Sequence, residues 1–229
     1  MSKENSEVLL EKDPIFRPVT ETLFEFRAPK HILENSLEKV KELVFYKNDK
    51  NFISYTGSEK RHKTKILSAP IHNPNLNLVN NKAFTELHEW FQDCIDMVAA
   101  DLRFEPRFKI IHSWANKASK GEWHHPHTHP LSMICGTFNL TSSESGRTHY
   151  DYPSSNWDKM FFKYQNENRH FEKPEAGKLI IFPANITHGV TINNDEQARY
   201  TISFDAFPER RLGSFGNDAH DLFIKVLDY

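Results

Sequence analysis

Cysteine is nearly absent from this chain: Cys94 and Cys135 are the only two in 229 residues. That excludes a disulfide framework and a four-cysteine zinc site. Long apolar runs are missing too. None approaches the roughly 18 residues of a membrane-spanning helix, and the opening stretch MSKENSEVLLEKDP lacks the apolar segment of a secretion signal. The expectation is a cytoplasmic protein with no membrane partner. Net charge is also scarce, at −2, which gives no reason to expect a nucleic-acid partner. One local basic run, SEKRHKTK at 58–65, reads as a solvated loop. No internal repeat or low-complexity linker divides the sequence. A chain of 229 residues suits one well-buried domain and is short for two. We expect a single domain over 1–229: an α/β support with two long helices (1–106), a β core (107–207) and a C-terminal tail (208–229). Oligomeric state stays open.

What the chain does have is 13 histidines and 18 phenylalanines. Aromatic richness points to a core of large side chains, whereas histidines matter only where they converge. TETLFEFRA at 20–28 alternates like a strand. HILENSLEKVKELVFY at 31–46 places Ile32, Leu33, Leu37, Val40, Leu43 and Val44 at helical spacing. The strongest helical pattern covers 81–102, where Phe84, Leu87, Trp90, Phe91, Cys94, Ile95 and Val98 make one apolar stripe. Asn80 or Asn81 could cap it. From about 107 the period changes to two, in RFKIIHSWAN, LSMICGTFNL, RTHYDY, KLIIFP, HGVTIN and RYTISFDAF. Many short strands after two helices predict a mainly β fold, a sandwich or barrel core with flanking helices.

The stretch GEWHHPHTHP at 121–130 carries four histidines between two prolines. His125 and His129 have the i, i+4 spacing of a zinc-protease helix, but Pro126 and Pro130 make a helix improbable there. On a strand, His127 and His129 share a face, with roots roughly 6.5–7 Å apart. Metal–imidazole bonds of about 2.0–2.1 Å let two such rings meet on one ion. His124 has the wrong parity, and Pro126 interrupts pairing before His125, so these two read as residues at the rim of the site or behind its ligands. The third ligand has to come from elsewhere. In EAGKLIIFPANITHGV at 175–190 a strand ends at Pro183, Asn185 allows a tight turn, and His188 begins the next strand at a sheet rim. The expected metal set is His127, His129 and His188.

An H-x-H pair followed by a strand-initial histidine resembles the metal site of the double-stranded β-helix (jelly-roll) superfamily. The cupin branch shares Gly121, separated from His127 by five residues, and the Gly177, Pro183, His188 spacing, but no glutamate follows His129 within reach. The 2-oxoglutarate/Fe(II)-dependent oxygenase branch has an arginine about ten residues after its last histidine. Here Arg199 lies 11 positions after His188, and Thr201 shares its strand face. W-x-N at 114–116, H-x-HP at 127–130, CGTFNL at 135–140, EAGKLIIFP at 175–183 and ARYTISFDAF at 198–207 together resemble a group of such oxygenases related to prolyl hydroxylases. The likeness covers about 107–207, with a weaker part near DPIFRPVTETLFEF.

That resemblance implies a jelly-roll core, Fe(II) as metal, and 2-oxoglutarate and O2 as co-substrates. It also implies hydroxylation of an unactivated C–H bond in a small molecule or peptide side chain. Arg199 becomes the anchor for the distal carboxylate of 2-oxoglutarate, with Thr201 adding a hydroxyl, because guanidinium matches carboxylate geometry. Lys178 and Arg147 are the alternative anchors. Trp114, Asn116 and Trp123 become pocket walls, and Asn116 and Asn139 candidate hydrogen-bonders to ligand or imidazole. The departure from the pattern is His129, which stands where relatives carry a carboxylate. Either the site has three histidines, or a nearby acid such as Asp151 takes the place, or the metal has been lost. Two other functions remain open at this point: a cupin-like three-histidine dioxygenase without 2-oxoglutarate, which chemically admits zinc too, and a non-catalytic jelly-roll binding module. The segments 48–66 and 150–172 are expected to recognise substrate.

Overall fold

A computed structural model of the chain describes residues 23–47, 67–68, 77–104, 107–151, 169–212 and 222–224. The segment 48–66 and most of 150–172, the expected recognition loops, lie outside these residues, as does the basic run. The described elements begin with β1 (Phe24–Arg27), α1 (Lys30–Lys41), β2 (Tyr46–Lys47), β3 (Leu67–Ser68) and α2 (Thr85–Asp101). The strands β4 (Arg107–Ala118), β5 (His124–His127), β6 (Ile134–Asn139), β7 (Thr148–Asp151) and β8 (Arg169–Glu172) follow. Last come β9 (Lys178–Pro183), β10 (Thr187–Val190), β11 (Arg199–Leu212) and β12 (Leu222–Ile224).

The strands form two sheets. The larger runs β1-β9-β6-β11-β4-β3-β2, with β12 on β11, and the smaller runs β5-β10-β7-β8. All pairings are antiparallel. A cavity between them is lined by side chains from both. This is a mainly β core with helices outside, as the strand pattern predicts, in the jelly-roll form that the resemblance implies. The segment 208–212, read as the start of a tail, continues β11.

The large sheet is two-faced because its strands alternate. Along β11, Ile202, Phe204 and Ala206 point to one side and join the main core with Phe91, Ile95, Phe138 and Val98. The stripe of α2 supplies that core: Phe84, Leu87, Phe91, Cys94, Ile95 and Val98 are buried and Trp90 packs against them. Phe91 meets Phe204 at 4.8 Å and Phe138 at 5.7 Å between ring centroids. Gly136 in β6 lies under this layer, where an added Cβ would fall 2.3 Å from the Phe204 ring. The helix begins as expected, through a 3-10 turn over Lys82–Phe84 in which the Asn81 side chain accepts from the Ala83 amide.

One helix boundary differs. The apolar pattern predicts helix through 46, but α1 ends at Lys41. The run Leu43–Tyr46 is β-branched and aromatic, and its end turns into the edge strand β2, leaving Val44 67% exposed rather than in the stripe.

Candidate metal and ligand site

Three imidazoles converge at one end of the cavity. β10 places His188 opposite His127 of β5 and opposite Tyr150 of β7. The turn before β10 is closed by the Ile186 amide on the Pro183 carbonyl at 3.0 Å, the tight turn that the Pro–Asn pattern predicts. Gly189 permits the strands to close around this point. A Cβ there would fall 2.7 Å from His149 Nε2 and 2.9 Å from the His124 carbonyl oxygen.

His129 reaches the cluster differently from the expected route. β5 ends at His127, and its pairing with β10 is irregular between His188 and Val190, because the prolines at 126 and 130 interrupt the ladder. His129 therefore lies beyond the strand, where its backbone amide donates to the Ala184 carbonyl at 3.0 Å. Its ring nonetheless meets the others. His129 Nε2 lies 3.2 Å from His127 Nε2 and 3.2 Å from His188 Nε2.

The hydrogen bonds decide what those nitrogens offer. His127 Nδ1–H donates to the His125 carbonyl at 2.9 Å and His188 Nδ1–H to the Ile186 carbonyl at 3.0 Å. His129 Nδ1–H donates to Asp205 Oδ1 at 2.6 Å. A carbonyl or carboxylate only accepts, so each Nδ1 carries the proton and each Nε2 presents a lone pair. Three lone pairs facing one point repel unless a cation lies between them. Two nitrogens bound at right angles to one ion with bonds of about 2.0–2.1 Å stand about 3 Å apart, close to the observed spacing. Burial holds the His127 pKa down at about 4, and pushes that of His188 well below its ordinary value with help from the neighbouring imidazoles. Both rings are neutral at pH 7, as ligands must be. The donor set thus fits a divalent metal.

The rest of the cavity contains no acid among its described lining residues. Trp114, Asn116, Thr137, Thr148, Arg199, Thr201 and Ser203 line it together with the three histidines. Of the residues singled out from sequence, His127, His129, His188, Arg199, Thr201, Asn116 and Trp114 meet in this one cavity. Sheet register explains it: Arg199 pairs with Ala118, Thr201 with Asn116 and Asn139, and Ser203 with Trp114 and Thr137.

Arg199 is 3% exposed and has no carboxylate partner among the described residues. Its Nη2 donates to Asn139 Oδ1 at 2.9 Å and Thr148 Oγ1 at 3.1 Å, while its Nε is buried without a partner. Burial lowers its pKa to about 10, so the guanidinium is still charged at neutral pH. An uncompensated buried charge costs several kcal/mol in real proteins. The site is built for an anion.

Several sequence expectations shift. Lys178 is taken up by Glu172, Glu175 and Glu25 at 2.9, 3.2 and 3.7 Å, and is not an anchor. Arg147 and Trp123 line a separate open groove. Asp151 pairs with Arg169 and with His149 at 3.2 Å, and joins no cluster with the three histidines. Asn139 holds Arg199 instead of a ligand or imidazole. His124 packs its ring 4.3 Å from that of His127, behind a proposed ligand, and also lines the cavity. Sequence reasoning missed Asp205 altogether. Arg199, Thr201, Ser203 and Asp205 share one parity along β11, but parity alone does not mark Asp205 as a site residue.

The comparisons with known proteins agree with this geometry. The described fold is that of non-haem oxygenases of known structure. HygX from Streptomyces hygroscopicus, solved with nickel, 2-oxoglutarate and hygromycin B bound, aligns with a TM-score of 0.54 at 11% identity, over 82% of this chain and 84% of that one. A prolyl-4-hydroxylase from Pseudomonas putida gives 0.52 at 11% identity, over 82% and 94%. A prolyl hydroxylase from Trichoplax adhaerens, in complex with a hypoxia inducible factor oxygen degradation domain peptide fragment, gives 0.54 at 14% identity, over 82% and 84%. No curated protein matches the sequence. Residues 112–205 match the family model described as "Putative 2OG-Fe(II) oxygenase", a stretch containing all three histidines, Arg199 and Asp205. Over that stretch the chain is similar to 2-oxoglutarate/Fe(II) oxygenases. No helix among the described residues is long and apolar enough to cross a membrane.

Proposed function

We propose that this enzyme hydroxylates an unactivated C–H bond of a small molecule or a peptide side chain. In this reading His127, His129 and His188 hold Fe(II), and Arg199 with Thr201 holds the distal carboxylate of 2-oxoglutarate. The observation that carries it is the pairing of complementary deficits in one cavity. Three imidazole lone pairs face a point that calls for a cation, and a buried guanidinium without a carboxylate calls for an anion. 2-Oxoglutarate is a dianion, so it neutralises a divalent ion held by three neutral rings without a negatively charged protein ligand.

Bound Fe(II) would supply O2 activation coupled to oxidation of 2-oxoglutarate to succinate and CO2, with one oxygen atom entering the substrate C–H bond. The chain's own residues orient and shield. The carbonyls of His125 and Ile186 and the carboxylate of Asp205 fix the three ring tautomers. Trp114 stacks on His129 at 5.6 Å, covering one face of that ring. Asn139 and Thr148 hold the Arg199 fork in place before ligand arrives, which lowers the ordering cost of binding. Three imidazoles on one face of an octahedral ion leave positions for a bidentate co-substrate and O2. A small molecule and a peptide are the two substrate kinds that the similar solved structures hold, and both suit a cavity that opens between sheets.

The test is anaerobic loading with Fe(II) and 2-oxoglutarate, followed by measurement of succinate after O2 is admitted. Wild type is expected to release succinate even without substrate, and His188→Ala to release none above background. Absence of succinate from iron-loaded wild type across a panel of small-molecule and peptide substrates would remove the proposal.

A further inference from the structure

We infer that Asp205 is a positioning residue for the metal site. It orients His129 and places beside a three-imidazole set the negative charge that a carboxylate ligand would otherwise contribute. The inference rests on the reading of His127, His129 and His188 as metal ligands.

Three observations support it. First, Asp205 Oδ1 accepts from His129 Nδ1 at 2.6 Å, whereas backbone carbonyls hold the other two rings at 2.9 and 3.0 Å. Short bonds of this kind are typical where one partner is charged. Metal-bound histidines commonly donate their second nitrogen to a carboxylate or carbonyl, which fixes the ring and raises its basicity. Here only the ring standing at the usual carboxylate position receives the charged partner.

Second, the described residues give the Asp205 side chain two partners, His129 and Cys135. It is buried, and its only ion pair among the described residues is with His129. The Cys135 thiol donates to the same oxygen at 3.1 Å, pinning the carboxylate from the neighbouring strand. Among the described residues no Lys or Arg pairs with it, so the cation it serves lies on the far side of the imidazole. A buried anion with no such cation is costly.

Third, the backbone aims it. The β11–β4 register shifts between Asp205 and Ala206, the irregularity by which strands redirect a side chain. One strand face then carries a buried cation at Arg199 and a buried anion at Asp205. Their order matches the charges of the proposed occupants, with the anion toward the metal and the cation toward the dianionic co-substrate. His129 is held from two sides, by Asp205 at Nδ1 and by the stacked Trp114 ring, so that Nε2 is the atom it presents.

Anaerobic titration of the full chain with Co(II) alone tests this, read by calorimetry and by the visible absorption of the bound ion, with circular dichroism as a check on folding. Asp205→Asn keeps shape and an acceptor but removes the charge, and is expected to weaken Co(II) binding about tenfold and to change the absorption. Asp205→Ala is expected to weaken it about 10–100-fold, the usual cost of losing such a partner. Asp205→Glu should recover affinity relative to Asp205→Asn. Folded Asp205→Asn protein with wild-type affinity and absorption would overturn the inference. So would variants that lower only the melting temperature, or an Asp205→Glu protein no better than Asp205→Asn. Wild type that binds no Co(II) would instead overturn the underlying metal reading, and would be seen before any variant is compared.

Discussion

The two faces of β11 do opposite work. On one face Ile202, Phe204 and Ala206 are fully buried against α2 and its aromatic layer. On the other, Arg199, Thr201, Ser203 and Asp205 are just as deeply buried, yet polar or charged. Burial of the first set follows from the hydrophobic effect and stabilises the fold. Burial of the second works against it, because a guanidinium and a carboxylate lose their water there. A strand that tolerates both shows that the helix-covered face contributes the stability that lets the cavity face stay unsatisfied.

That comparison can be broken by substitutions on the two faces of this strand. Phe204→Ala removes a ring from the aromatic layer and should cost about 3–5 kcal/mol of stability, measured by urea unfolding. The folded fraction should keep its metal affinity. Arg199→Ala should behave inversely. Chemical denaturation of the metal-free protein should show a loss under about 1 kcal/mol, or a gain, since an uncompensated buried charge is removed. The melting-temperature rise expected of wild type on adding 2-oxoglutarate with Ni(II) should be absent in this variant. If Arg199→Ala destabilises the metal-free protein as much as Phe204→Ala does, the division between the faces is wrong. Thr201→Val is the mildest probe. It keeps a β-branched side chain in the strand and removes one hydroxyl, so 2-oxoglutarate should bind on the order of 3–10-fold more weakly, the value of one hydrogen bond, with unchanged stability.

Much of this was legible before any coordinates. The switch of hydrophobic period from helical to two separates the helices that cover the sheet from the strands that build it, and β9, as KLIIFP, begins and ends where its pattern does. The histidine set was legible because H-x-H and a strand-initial histidine leave few other arrangements. Details that depend on tertiary context were not. His129 reaches the cluster from a turn rather than a strand, which no parity argument anticipates. Tertiary pairing claims the end of the first helical pattern for β2. Trp123 and Asp151, both plausible from proximity in sequence, face other surroundings. Asp205 was missed for a different reason. Its parity matched Arg199, but an acid in a β-strand carries no signal of its own until the ring that it holds is known to lie across from it.

The most direct test of the central claim is calorimetric titration of 2-oxoglutarate into Ni(II)-loaded protein under anaerobic conditions, comparing wild type with Arg199→Ala. The account predicts one molecule bound per chain in wild type, dependent on the metal, and a loss of at least about 30-fold in the variant, the lower range for removing one member of a buried charge pair. Equal binding by the two proteins, or binding by wild type that ignores the metal, would contradict it.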